Sequence, residues 1–344
     1  MTQPCSHTIY KNSRLEYIDT LKGGAIIFIV LLHCFVFLPI YKPSISAIPL
    51  FFVISGLFCN DDKKWGDFLR KQFYTLIIPY ISYNLIVGIF IYALSAAGVN
   101  LPYEHDILSI FYTDIFYELP NYPLWFLPAL FVSQVVFMII LKLCRHLNYK
   151  PRIVAITITT AIIGYIGYKS QPLPLFIDRG LLGVVFYAIG FFFSQTPLWN
   201  KPDKYNKIGY YLIVPSIIIY LLTRHCIDMA YAYYDMPYHI LLINIFALFI
   251  SSLYICKLIK SIPIVTYLGR HSLIVLCTHC IIIAPLNIIL QKICTETNLF
   301  YSPFILGVLV IVLLNYLIVP FCTKFLPVIS GISKHRTNDR CECN

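Results

Sequence analysis

The chain has 344 residues, 59% of them hydrophobic, 16% aromatic and only 12% charged, with a formal net charge of +10 and a mean hydropathy of +0.75. A water-soluble domain of this length cannot hide so much apolar surface, so the bilayer must be the solvent for most of it. The composition excludes a soluble enzyme and predicts an all-α, polytopic membrane bundle of about ten transmembrane helices.

Crossing a hydrocarbon core of about 30 Å takes roughly 17–25 predominantly apolar residues. Ten such runs follow one another, centred near residues 31, 51, 85, 133, 160, 187, 215, 248, 281 and 314. The second is short and carries Pro49 and Gly56; the sixth is the other weakly marked run. Lys and Arg concentrate on cytoplasmic loops, which tests the count. With the N-terminus inside, Lys11, Arg14 and Lys22 precede span 1, and Lys63, Lys64, Arg70 and Lys71 separate spans 2 and 3. Further clusters follow spans 4, 6, 8 and 10, so that 21 of the 26 basic residues lie inside. Lys42, Lys169, Arg179, Arg224 and Lys292 are left outside. A missed span would scramble this alternation, so both termini are expected in the cytoplasm and the positive charge is topology, not nucleic-acid binding. No repeat or linker divides the chain. Residues 1–344 read as one domain, with short disordered ends expected at about 1–12 and 333–344.

Span 1 begins after a basic flank and contains "LLHC", but lipoprotein cleavage wants a small residue before the cysteine, and His33 is large; the helix is expected to be retained. Cysteines scattered through apolar spans read as small buried hydrophobes. Cys277 and Cys280 flank His279 in "CTHC", which lacks the order of a haem box, and no metal is expected. The "RCECN" tail reads as a disordered end rather than a metal site. The longest outer loop, roughly 98–121, carries Glu104, His105, Asp106, Asp114 and Glu118 among several tyrosines and no Lys or Arg. Carboxylates beside aromatic rings suit a sugar-binding surface, and they equally suit an ordinary solvated loop.

Ionisable groups inside a membrane are expensive and usually face a protein interior or a water-filled cavity. His33 lies about 12 residues into span 1, roughly 18 Å deep. Lys22 precedes it by 11 residues, about three turns, so the two share a helix face about 16 Å apart and suit two ends of one elongated ligand. Span 9 repeats the layout, with Arg270 and His271 at its mouth and His279 about 12 Å in. Span 2 runs the other way and brings Ser55 and Gly56 to a similar level, Gly56 allowing close approach of a helix or a ligand. Each histidine could alternatively do no more than hydrogen-bond a neighbouring helix.

The stretches "YIDTLKGGAIIFIVLLHC", "IPLFFVISGLFCN", "FLRKQFYTLIIPYISYN", "YPLWFLPALF" and "LGRHSLIVLCTH" occur in an order that resembles the acyltransferase 3 family of integral-membrane O-acyltransferases. The branch acetylating bacterial surface and secreted polysaccharides is the most similar. The family pattern of a basic residue, ten residues and a histidine falls on Lys22 and His33. Ser55 and Gly56 match the second-span motif, Trp125 and Phe126 the fourth, and His279 the histidine closing the ninth. Arg70 and Lys71 occupy the place where many relatives have two arginines spaced by two residues, a pair absent here.

The resemblance implies a multi-pass protein of the inner membrane that takes an acyl group, usually acetyl, from cytoplasmic acyl-CoA as co-substrate, without a metal. It implies a carbohydrate hydroxyl as acceptor, on a cell-surface, exported or lipid-linked glycan, with polysaccharide-assembly machinery as a partner. His33 and His279 are the catalytic candidates: a neutral imidazole in a cavity can deprotonate a hydroxyl near pH 7, with His279 assisting or orienting. Lys22, Arg70, Lys71 and Arg270 are expected to meet the CoA phosphates. Ser55, Trp125 and Glu118 are expected to contact the acceptor, although a tryptophan near the outer interface also fits an aromatic belt. A transporter or flippase using the two histidines as proton or substrate contacts remains open at this level, as does a non-catalytic glycan-binding member.

Overall fold

The computed structural model describes residues 15–35, 47–96, 107–114, 118–223, 227–297 and 302–331. Among these, the chain is a bundle of α-helices with one two-stranded hairpin, Ile227–Asp228 paired antiparallel with Tyr233–Tyr234. Nine helical stretches are long and apolar enough to cross a bilayer, and each of the ten predicted runs is met by a helix. The tenth is α2 (Ala47–Leu57), whose 11 residues rise only about 16 Å and cannot span alone.

Helix α1 (Glu16–Phe35) runs beside α12 (Pro263–Arg270) and α13 (Ser272–Thr297), an almost continuous pair broken at His271, where the backbone leaves the helical region. Glycine makes the α1–α12 contact possible. A Cβ on Gly23 would collide with the Val265 carbonyl, and one on Gly269 with the Asp19 carbonyl. A second seam joins α2 to α7 (Ile177–Ser194) by the same device, Gly56 resting on the Tyr187 carbonyl and Gly190 on the Val53 carbonyl. Lipid offers no hydrophobic drive between helices, so such backbone contact is a main source of association. Of the two roles open to Gly56, the structure assigns the close approach of a helix.

Around α7 stand α5 (Phe126–Leu143) and α6 (Tyr149–Lys169). Gly180 and Gly183 of α7 admit Val132, Ser133 and Phe52, while Gly164 and Gly167 of α6 lie against Val185 and Leu182. Helix α3 (Trp65–Gln72) is amphipathic and passes through a π turn, Phe73–Ile77, into α4 (Ile78–Ala96). The remaining crossings are the α9–α10 stretch (Pro202–Tyr211, Ile213–Leu222), α11 (Tyr238–Ile259) and the stretch from α14 (Pro303–Leu313) to α15 (Val319–Phe325).

Of the basic residues expected on the outer side, Arg179 is buried. Arg179 lies in the first turn of α7, 3% exposed, bonded to Asp178 at 2.9 Å and donating to the Ala230 carbonyl at 3.0 Å. It is a buried clasp holding the hairpin to the helix end, because a charge removed from water must be paired.

Candidate functional site

The α1–α12 seam sets the register that brings the two histidines together. His33 lies in the last described turn of α1, 17 residues and about 25 Å from Glu16. Because α12 continues into α13 alongside α1, His279 lies 16 residues and about 24 Å from Pro263. The sequence placed span 9 from Arg270 onward, and α12 extends that helical column toward its N-terminus. Both rings lie at the same level.

Nε2 of His279 is 2.9 Å from Nδ1 of His33, and the ring centroids are 4.9 Å apart. Nδ1 of His279 is 2.9 Å from the carbonyl oxygens of both Val275 and Leu276. Carbonyls only accept, so Nδ1 carries the hydrogen. His279 is 0% exposed, and among the described residues no carboxylate contacts it, so the neutral ring is the form consistent with its surroundings. Its Nε2 must therefore accept, and His33 donates through Nδ1. The lone pair of His33 falls on Nε2, which has no hydrogen-bond partner among the described residues. The second-ring contact fixes the tautomer of the first.

Tyr122 closes the other side of His33, edge-on with centroids 5.6 Å apart, and its hydroxyl accepts from the Cys280 thiol at 3.1 Å. The turn carrying Tyr122 is pinned from beneath. Nδ2 of Asn121 donates to the Cys277 carbonyl at 2.8 Å, and its backbone N–H donates to Oδ1 of Asn84 at 3.0 Å. Asn84 in turn donates to the Tyr80 carbonyl at 2.9 Å. Both asparagines are buried, so these bonds are costly to lose. Tyr122, Asn121 and Asn84 were not singled out from sequence, and Cys280 only as a flank of His279. Asn84 ends one motif stretch and Asn121 directly precedes another, and a buried amide in an apolar segment is the signal that could have found them.

The other predicted residues scatter. Lys22 is half-buried three turns below His33, its Nζ 5.8 Å from the centre of the Phe58 ring. Arg70 and Lys71 are exposed in the last turn of α3, Arg70 lying 6.0 Å from the Tyr74 ring centre. Arg270 pairs with Glu16 at 3.1 Å and Asp19 at 3.3 Å, tying α12 to α1. Ser55 is half-buried in α2 beside the Gly56 contact. Trp125 is 3% exposed and packs on Phe126 and Phe176 in the core. Glu118 accepts from Thr113 Oγ1 at 2.6 Å, and its carbonyl accepts from Ser109 at 3.0 Å, so it closes the outer loop on itself. Glu104, His105 and Asp106 lie outside the described residues.

The arrangement can hold a base: one ring presents a lone pair at a fixed place while the other orients it. The family model described as an acyltransferase domain matches residues 15–321. No curated protein and no solved structure matches the chain.

Proposed function

The chain belongs to the acyltransferase family whose domain it carries over residues 15–321, and from that premise we propose that it moves an acyl group, acetyl in the simplest case, from cytoplasmic acyl-CoA to a carbohydrate hydroxyl. The observation that carries the mechanism is the bond from His33 Nδ1 to His279 Nε2, which leaves His33 Nε2 as proton acceptor. Nε2 takes the hydroxyl proton as the acceptor oxygen attacks the thioester carbonyl. The carbon–sulfur bond then breaks, and the CoA thiolate leaves with the proton returned from Nε2. While His33 is protonated, its Nδ1–H bond to His279 becomes charge-assisted, and the Val275 and Leu276 carbonyls stabilise the positive charge at the far end. His33 is the catalytic residue and His279 a positioning residue. A base held in this way contributes about 10²–10⁴-fold.

Lys22 lies about 16 Å below His33, a separation that suits CoA phosphates at one end and a thioester at the other. Arg70 and Lys71 add positive charge at that mouth. Arg270 joins them only by exchanging a carboxylate for a phosphate, since Glu16 and Asp19 hold it now. Ser55 and Glu118 are read as acceptor contacts, and Trp125 as the wall behind Tyr122. The acceptor would be an exported or lipid-linked glycan at the inner membrane, handed on to polysaccharide-assembly machinery.

Inverted membrane vesicles given labelled acetyl-CoA and the cell's own glycan test this reading. Label should enter glycan with the native chain and stop with His33→Ala at equal expression. His279→Asn should lower kcat while leaving KM for acetyl-CoA unchanged, as expected when only the orientation of the base is lost. CoA turnover that survives His33→Ala would remove the base from this site.

A further inference from the structure

The same pocket holds a cluster that the acyl-transfer reading uses only in part. The ligand atoms of His33, His279 and Cys280 all lie within 4.8 Å of one another. Two imidazole nitrogens and a sulfur are a donor set for a borderline or soft transition-metal ion. Three protein ligands with a fourth position open are also how zinc is held where it stays reachable. We propose that this trio is an inhibitory site for Zn2+ or a similar ion, contrary to the metal-free expectation from sequence; the inhibition rests on His33 being the base, whereas the binding does not.

The geometry is close to what binding needs. With zinc–nitrogen bonds of about 2.0 Å and zinc–sulfur bonds of about 2.3 Å in a tetrahedron, ligand atoms sit roughly 3.3–3.6 Å apart. The two histidine nitrogens, at 2.9 Å, part by a few tenths of an ångström, and the thiol closes by at most about 1.3 Å. His279 already donates Nδ1–H to two backbone carbonyls, which fixes the ring that would ligate through Nε2.

Proton accounting explains why binding inhibits. Cys280 gives up its thiol proton as the thiolate bonds the ion, and one proton leaves to solvent. His279 keeps its Nδ1 hydrogen. His33 must free Nδ1, so that hydrogen moves to Nε2, the atom that acts as base. Ligation through Nε2 instead would use the same lone pair. In either case the pocket ends with no base, while the competing bond between the histidines shows that the metal-free form is self-sufficient.

The test uses the full chain in nanodiscs, carrying Cys341→Ser and Cys343→Ser so that the tail sulfurs contribute nothing. Titration with Co2+ should give one equivalent with a thiolate-to-metal charge-transfer band, and titration with Zn2+ in weak buffer should release a proton per ion bound. Cys280→Ala should lose the band and bind at least about tenfold more weakly, and whatever acyl transfer it retains should resist Zn2+ inhibition by the same factor. Inhibition of the native chain should reverse with a chelator. Absence of the band, equal Zn2+ affinity in Cys280→Ala, or transfer stimulated by the metal would each overturn the proposal. Should no form of the protein transfer acyl groups, the spectrum and the proton release still decide whether the site exists, so the two readings fail separately.

Discussion

At the α1–α12 seam, Gly23 and Gly269 let two backbones touch; at the α2–α7 seam, Gly56 and Gly190 do the same. The means are alike and the results differ. Above the first contact, α1 and α13 converge on two imidazoles and a network of buried amides, every one aimed at a partner. Above and below the second there is phenylalanine packing, with Phe52 set between Phe126 and Phe186. Touching backbones therefore do not mark function. They fix register, and only where polar groups lie at matched depth does register become chemistry.

The largest effect expected from this contrast is on rate without stability. His33→Ala should lower acyl transfer by about 10³-fold or more, with thermal unfolding of the solubilised protein close to native. A variant that unfolds early instead would mean the ring is chiefly a packing element, and the contrast would collapse. The converse is expected across the molecule. Gly190→Leu places a branched side chain against the Val53 carbonyl and should cost about 3 kcal/mol or more for overpacking. Poor expression and a lowered Tm would be the signs, and native stability would show that the α2–α7 contact is not a structural seam.

A middle case sharpens the comparison. Asn84→Ala leaves the Asn121 N–H without its acceptor, at a cost of about 1–3 kcal/mol. Because Asn121 seats Tyr122 beside His33, kcat should fall along with Tm. Loss of stability with unchanged kcat would detach the amide network from the site. Arg270→Ala follows. Its pairs are about a third exposed on the arginine side, so stability should change by about 1 kcal/mol or less. KM for acetyl-CoA should rise about tenfold if the guanidinium meets phosphate; an unchanged KM would reduce it to a clasp.

The bundle was legible because lipid dictates it: each crossing needs a long apolar run, and all but the second and sixth of the ten runs are plain. The histidines were legible for the opposite reason, as groups too costly to bury without purpose. Helix α12 was not, since its eight residues, Pro263–Arg270, read as a basic loop before span 9, and only contact with α1 reveals them as part of one helical column. Arg179 was counted only as a charge on the outer side, because its pairing with Asp178 matters only once both are buried. Asn84 and Asn121 are 37 positions apart, and their bond is a product of packing that no local pattern encodes. Sequence located the groups that are expensive; structure was needed for the groups that are cheap alone and decisive in pairs.

The smallest effect tests the clasp where the hairpin meets α7. Asp228 accepts from the Ala230 and Tyr231 N–H groups at 2.9 and 3.3 Å. Burial pushes its carboxyl above the usual range, with these N–H groups and Arg179 pulling it part of the way back. An acid whose folded value is raised binds its proton more tightly folded than unfolded. Stability therefore falls as pH rises from the unfolded carboxylate value through the folded one, and stays lower above it. Asp228→Asn keeps an oxygen for the two N–H groups and removes the titration. Its Tm should match the native chain at low pH and exceed it at neutral pH by no more than about 2 °C. A variant less stable at neutral pH would mean that the ionised carboxylate is wanted by Arg179, making the outer clasp a three-member network rather than a single pair with an acid lodged beside it.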